Sequence, residues 1–148
     1  MRHANEIQHG GSHYQTSGGP QHWDFVTANT GASYLMGCAT KYLSRWRKKH
    51  RYSWLQRVIA GMAGIRLGSP KEDLAKAGHY VQKLIETAMD MPEQVRPITN
   101  RRITADEFSK ENGLHAWDAQ VIRQVWEWEN VRDLEFVLSR IESVLQDL

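Results

Sequence analysis

Cysteine is almost missing from this chain: Cys38 is the only one in 148 residues. A single thiol excludes an internal disulfide and any cysteine-rich zinc site, and it fits a reducing compartment. Proline is scarce, at four residues, so long stretches are open to helix. No apolar run comes near the roughly 20 residues that a membrane helix needs, so no span is expected. Met1 to Glu6 has no apolar stretch behind its charge and does not read as a signal peptide. No segment alternates apolar and polar residues in the manner of a half-buried strand. Also missing is a Gly-x-x-x-x-Gly-Lys-Ser/Thr phosphate loop, and the glycines around Gly31, Gly37, Gly61 and Gly64 do not make a dinucleotide fingerprint. The histidines form no grouping with the cysteine, and no transition-metal centre is expected.

What is present is an ordinary globular composition with charge unevenly spread. Residues 1–103 hold 15 Lys and Arg against 7 Asp and Glu, whereas residues 104–148 hold 4 against 10. The net charge of +2 therefore conceals a basic body and an acidic end. The basic part fits an anionic ligand, and the acidic end can dock on a basic surface of its own or a neighbouring chain.

The apolar pattern is helical throughout. Residues 1–21, with breakers at Gly10, Gly11, Gly18, Gly19 and Pro20, read as irregular. A short helix is expected from Trp23 to about Asn29. A longer one runs from Tyr34 to about Lys49, with Tyr34 or Leu35, Cys38, Ala39, Tyr42, Leu43 and Trp46 inward. Ser53 can cap a third, in which Trp54, Leu55, Val58, Ile59, Met62 and Ile65 recur at helical spacing. Ser69, Pro70 and Glu72 give a start signal of cap, first-turn proline and capping-box acid. That helix reaches about Met89, with Leu74, Ala77, Val81, Leu84, Ile85 and Ala88 as its apolar stripe. Residues 91–103 read as a linker. Thr104 and Glu107 make a second capping box, and Asn112 with Gly113 ends the short helix it opens. Helices over 116–129 and 130–148 follow, the last with Leu134, Val137 or Leu138, Ile141, Leu145 and Leu148 on one face. Trp117, Val121, Val125 and Trp128 form a packing face, and Trp126, falling off it, is expected at a subunit contact. The expected fold is all-α: a compact helical domain over 22–90 and an acidic helical extension over 104–148, in an oligomer.

Two of these helices carry cationic stripes. Lys41, Arg45 and Lys48 are spaced four and three apart, and Lys76, His79 and Lys83 repeat a three- and four-residue spacing. On a helix each set shares one face, so two such helices can clamp a phosphorylated ligand without a glycine loop.

The order of Ser12, His13 and Tyr14, then Gly37, Lys41, Tyr42, Arg45 and Lys48, then Asp73, Leu74, Lys76, Ala77, His79 and Tyr80 resembles a small phage-encoded nucleotide-kinase-like family. One member of that family phosphorylates deoxynucleoside monophosphates without a Walker loop, and most have no assigned activity. The likeness covers roughly residues 11–87, and departs from the family at Cys38, where asparagine is usual, and in a longer connection from Lys49 to Gly68. It implies a nucleoside-monophosphate kinase of the infected bacterial cytoplasm, with ATP or another nucleotide as phosphoryl donor and Mg²⁺ as cofactor.

Phosphoryl transfer needs cations on the phosphates, a carboxylate for magnesium, and exclusion of water. Lys41 and Arg45 are the first candidates for phosphate, the guanidinium as a planar fork and the ammonium as a point charge. Lys48 and Lys76 are further candidates. Asp73 is the magnesium candidate, although a carboxylate in the first turn of a helix also answers the helix dipole. His13 and His79 can orient phosphate or move a proton, or be hydrogen-bonded structural residues. Tyr14, Trp23, Tyr42 and Tyr80 can stack on a base, and Tyr14 in its glycine-rich surroundings is the one favoured for ligand. Two other readings remain open: a protein that sequesters a nucleotide without turnover, as against a host defence signal, and a single-stranded nucleic-acid binder using Arg45 to Arg51 with Trp46 and Tyr52.

Overall fold

Short polar side chains start five of the helices in the computed structural model, which describes residues 22, 25–26, 33–49, 52–96 and 102–148. Ser33 Oγ accepts from Met36 N and opens α1 (Tyr34–Arg45), which tightens into a 3₁₀ turn over Trp46–Lys48. Ser53 and Gln56 form a reciprocal capping box at the start of α2 (Trp54–Met62). Ser69 and Pro70 open α3 (Pro70–Asp90), the longest helix. Thr104 and Glu107 box α4 (Ala105–Glu111). Past Asn112 the chain turns through Gly113 at φ +58°, a conformation that only glycine adopts without strain. His115 Nδ1 caps α5 (Ala116–Trp126), and Asn130 with Asp133 boxes α6 (Val131–Gln146). No strand occurs among the described residues.

α1 and α3 pack along each other antiparallel. Arg45 at the end of α1 meets Asp73 at the start of α3, while Tyr34 and Tyr42 both reach Tyr80 further along. The other side of α3 receives α6, where the approach is close: a Cβ on Gly78 would lie 3.3 Å from Ile141 Cγ2. α5 lies across α1 and carries α4 and α6 at its flanks. All six expected stripe residues of α3 are buried. At roughly 1.5–3 kcal/mol for each large aliphatic removed from water, this stripe is a major part of what holds the helix in place.

The core is continuous from end to end of the described chain. Phe25 stacks between Phe108 at 4.5 Å and Trp126 at 4.4 Å between ring centroids. Residues 104–148, expected as an extension, contribute Phe108, Val121, Trp126, Leu134 and Ile141 to the same cluster as Met36, Leu43 and Leu74. Trp126 is fully buried, so the expected exposure at a subunit contact does not hold. Its indole lies on Phe25, a residue far away in sequence. Within the expected linker, Pro92–Gln94 forms a 3₁₀ turn and Val95 is buried. The short helix expected from Trp23 falls mostly outside the described residues, though His22, Phe25 and Val26 are helical.

The inward set expected on α1 holds in part, with Ala39, Leu43 and Trp46 buried. On α1 the buried residues are Met36, Gly37, Ala39, Thr40 and Leu43, with Tyr34 exposed and Cys38 and Tyr42 only half-buried. On α2 the helix forms as expected, and its apolar side faces outward. Only Ala60 is buried, and Trp54, Leu55, Val58, Ile59 and Met62 point to solvent.

Candidate functional site: a cation-and-tyrosine groove between two helices

The antiparallel crossing of α1 and α3 leaves an open groove of about 460 Å³, lined by Tyr42, Arg66, Glu72, Ala75, Lys76, His79 and Tyr80. Its floor is aromatic. Tyr42 and Tyr80 stack nearly parallel, with 5.8 Å between centroids and 11° between planes. Tyr34 meets the edge of Tyr80 at 6.3 Å. Hydrogen bonds to Cys38 and then to Tyr80 push the Tyr34 phenol up to about 12, so it stays protonated at neutral pH.

Cations gather around this floor. The Arg45 guanidinium lies 4.7 Å from the Tyr42 centroid and Lys76 Nζ lies 5.7 Å from it, both within cation–π range. Arg66, just ahead of α3, reaches Glu72 with 2.6 Å between Nη2 and Oε1. The same Glu72 oxygen sits 3.6 Å from Lys76 Nζ. The groove is thus a set of cations held around one accessible carboxylate. Glu72 was expected to close the capping box of α3, but its side chain turns to these two cations, and Ser69 Oγ alone caps the backbone.

Behind the groove is an ion pair. Arg45 Nε donates to Asp73 Oδ2 at 3.0 Å, and the two side chains are only 12% and 4% exposed. Asp73, the magnesium candidate of the sequence, is buried and its carboxylate faces a guanidinium. Among the described residues no three His, Cys, Asp or Glu side chains come together as a metal site. Magnesium that arrives on phosphate oxygens needs few protein ligands, and Glu72 is the carboxylate within the groove.

Of the other residues singled out in the sequence, Lys76 and His79 line the groove and Arg45 braces its floor. Lys41 and Lys48 are not among the lining residues. Lys41 is half-buried on α1 and Lys48 is exposed on the 3₁₀ turn. His13 and Tyr14 lie outside the described residues, as does Trp23. Arg66 and Glu72 were not anticipated as site residues. Arg66 precedes a cap in an irregular segment, where no periodicity marks it.

Within the basic run after Arg45, Trp46 is not an open stacking surface. Trp46 is 1% exposed, its Nε1 donating to Asp118 Oδ1 at 2.8 Å, and Arg47 Nε donates to Asp118 Oδ2 at 2.7 Å. A nucleic-acid base has no face of Trp46 to stack on.

Behind α1, His22 is held neutral. Its Nε2 lies 3.0 Å from Thr40 Oγ1, and Thr40 gives its own hydrogen to the Met36 carbonyl at 2.9 Å. Thr40 must then accept, which places the His22 proton on Nε2. Burial, then the charges of Lys41 and Arg45, lower the His22 pKa to about 3. No family model, curated protein or solved structure matches the chain.

Proposed function

We propose that the protein binds a nucleoside phosphate in the α1–α3 groove, and that its activity is that of a Walker-less nucleoside-monophosphate kinase. The observation that carries the binding reading is the stacked Tyr42–Tyr80 pair with Arg45, Lys76 and Arg66 around it. Aromatic faces suit a base and converging cations suit phosphate, and both occur within one groove. The kinase reading adds the motif resemblance over residues 11–87.

In that reading Lys76 and Arg66 hold phosphate oxygens and the tyrosine pair supports the base. Arg45, fixed by Asp73, keeps positive charge beneath the ring. Magnesium would supply charge neutralisation on the phosphates, entering with the nucleotide. The terminal phosphoryl of the triphosphate donor passes to a phosphate oxygen of the monophosphate. The bond to the donor's β-phosphate oxygen breaks, and two diphosphates result. Such a step asks mainly for positioning and charge.

The engagement of Asp73 with Arg45 favours a second reading, in which the same groove holds a nucleotide without turnover. One experiment separates the two. Purified protein is incubated with each deoxynucleoside monophosphate, ATP and Mg²⁺, beside Lys76→Ala and Lys41→Ala variants, and diphosphate is measured. Product that Lys76→Ala loses supports the kinase. Saturable thermal stabilisation without product, again lost in Lys76→Ala, supports sequestration. Neither turnover nor stabilisation rejects both.

A further inference from the structure

The outward apolar side of α2 has a consequence for assembly. On α2 the residues Trp54, Leu55, Val58, Ile59 and Met62 recur one and four apart, so they share one broad stripe. They are 74%, 53%, 46%, 55% and 81% exposed, and Ile65 just beyond is 59% exposed. The one buried residue, Ala60, stands on the opposite side of the helix. A helix of a monomer normally turns its large apolar side chains inward and leaves small or polar ones outside. Here the order is reversed. A patch of this kind is rare on a monomer's surface unless something covers it.

We infer that α2 pairs with α2 of a second copy of this chain, stripe against stripe, across a two-fold axis near Val58. Three features select this occupant. The first is area: one tryptophan and five aliphatic side chains at these exposures present on the order of 700 Å², close to the about 800 Å² per partner of a standard interface. The second is charge. Arg57 is the only ionisable residue of α2, and it flanks the stripe beside Trp54 without entering it. A self-pairing seam therefore brings no like charges together. The third is symmetry, since an isologous contact needs a patch complementary to itself, and an uncharged stripe centred on the helix midpoint meets that need. A lipid surface fits less well, because interfacial helices carry a strongly cationic opposite face and α2 has one cation. Ile65 of the patch adjoins Arg66 of the groove in sequence, so pairing would also fix the segment that bears a phosphate-binding candidate. The inference stands whether or not the groove binds nucleotide.

The test is light scattering on a sizing column from about 1 to 100 µM, comparing wild type with an Ile59→Glu/Met62→Glu double variant. Both positions are exposed, so far-UV circular dichroism should be unchanged, while Tm should rise with protein concentration in wild type and not in the variant. The expected masses are twice 17.1 kDa for wild type and 17.1 kDa for the variant. In a Cys38→Ser background, Val58→Cys should cross-link on mild oxidation while Ser53→Cys, at the helix end, should not. A wild type that stays monomeric throughout overturns the pairing. If that monomer floats with anionic phospholipid vesicles, the patch is a lipid surface instead. A dimer that persists in the double variant, or that fails to cross-link through Val58→Cys, also overturns it.

Discussion

Trp46 Nε1 donates to Asp118 Oδ1 at 2.8 Å, joining residues 72 apart in the chain. Arg47 takes the other carboxylate oxygen and lies over the Trp46 ring at 4.1 Å and toward Trp117 at 5.9 Å. Burial raises the Asp118 pKa, and the Trp46 and Arg47 hydrogen bonds pull it back. Asp118→Ala leaves an indole N–H buried without a partner and removes the counter-charge from Arg47, whose side chain is 40% exposed and so partly rescued by water. The expected cost is about 2–3 kcal/mol, read as a fall in Tm on the order of 10 °C. Thermal melts of Asp118→Ala and Asp118→Asn check it. A variant as stable as wild type would mean that α1 and α5 do not depend on this contact.

Local signals in the sequence were reliable where one short motif decides the outcome. Ser53, Ser69 and Thr104 start their helices as expected, and Gly113 ends one. The stripe of α3 was legible because both of its flanks are strongly polar. The stripe of α2 was equally legible as a pattern, but periodicity gives a face without saying what covers it. Trp126 failed for the converse reason. Its burial depends on Phe25, a contact 101 residues distant that no local spacing encodes. The same holds for the candidate site. Lys76, His79 and Arg45 were visible as helical stripes, whereas Arg66 enters only through the path of the chain before Ser69, and Asp73 was drawn into an ion pair by the packing of α1 on α3.

Acid should weaken the fold through His22. Its pKa is about 3 in the folded protein against 6.5 unfolded, so between these values the unfolded chain binds the extra proton. The stabilisation is complete above about pH 6.5 and is lost as pH falls toward 3, at about 1.4 kcal/mol per pH unit within that window. Gln in place of His22 keeps an N–H donor for Thr40 and removes the titration. Urea unfolding at several pH values should give a steeper loss for wild type than for His22→Gln between pH 6 and 4. Parallel curves would show that His22 is not held neutral.

Whether Asp73 serves the fold or a metal can be decided by stability. As the partner of a nearly buried Arg45, its replacement by Asn should lower Tm by an amount that is the same in Mg²⁺ and in EDTA. The expected loss is about 1–3 kcal/mol, because the guanidinium keeps a hydrogen-bonding neighbour but not a charge. Mg²⁺ that stabilises wild type in the absence of nucleotide, and no longer does so in Asp73→Asn, would restore the carboxylate as a metal ligand.

Glu72 and Lys76 should shift nucleotide affinity in opposite directions. The Glu72 carboxylate sits among Arg66 and Lys76, where a phosphate would have to displace it or share its partners. Its backbone N–H, not its side chain, carries the cap with Ser69, so Glu72→Gln leaves the start of α3 intact. Removing that negative charge frees two exposed cations, and the affinity for a nucleoside phosphate should rise severalfold. Lys76→Ala removes one cation and should weaken binding about tenfold, corresponding to about 1.4 kcal/mol for one charge-assisted contact. Both effects should shrink as salt is raised from 50 to 300 mM, because the groove is open to solvent and its charges are screened. Calorimetric titration of wild type and the two variants with a deoxynucleoside monophosphate measures all three. If Glu72→Gln binds more weakly than wild type, the carboxylate is contacting the ligand, directly or through a cation, and the cation-release account of the groove is wrong.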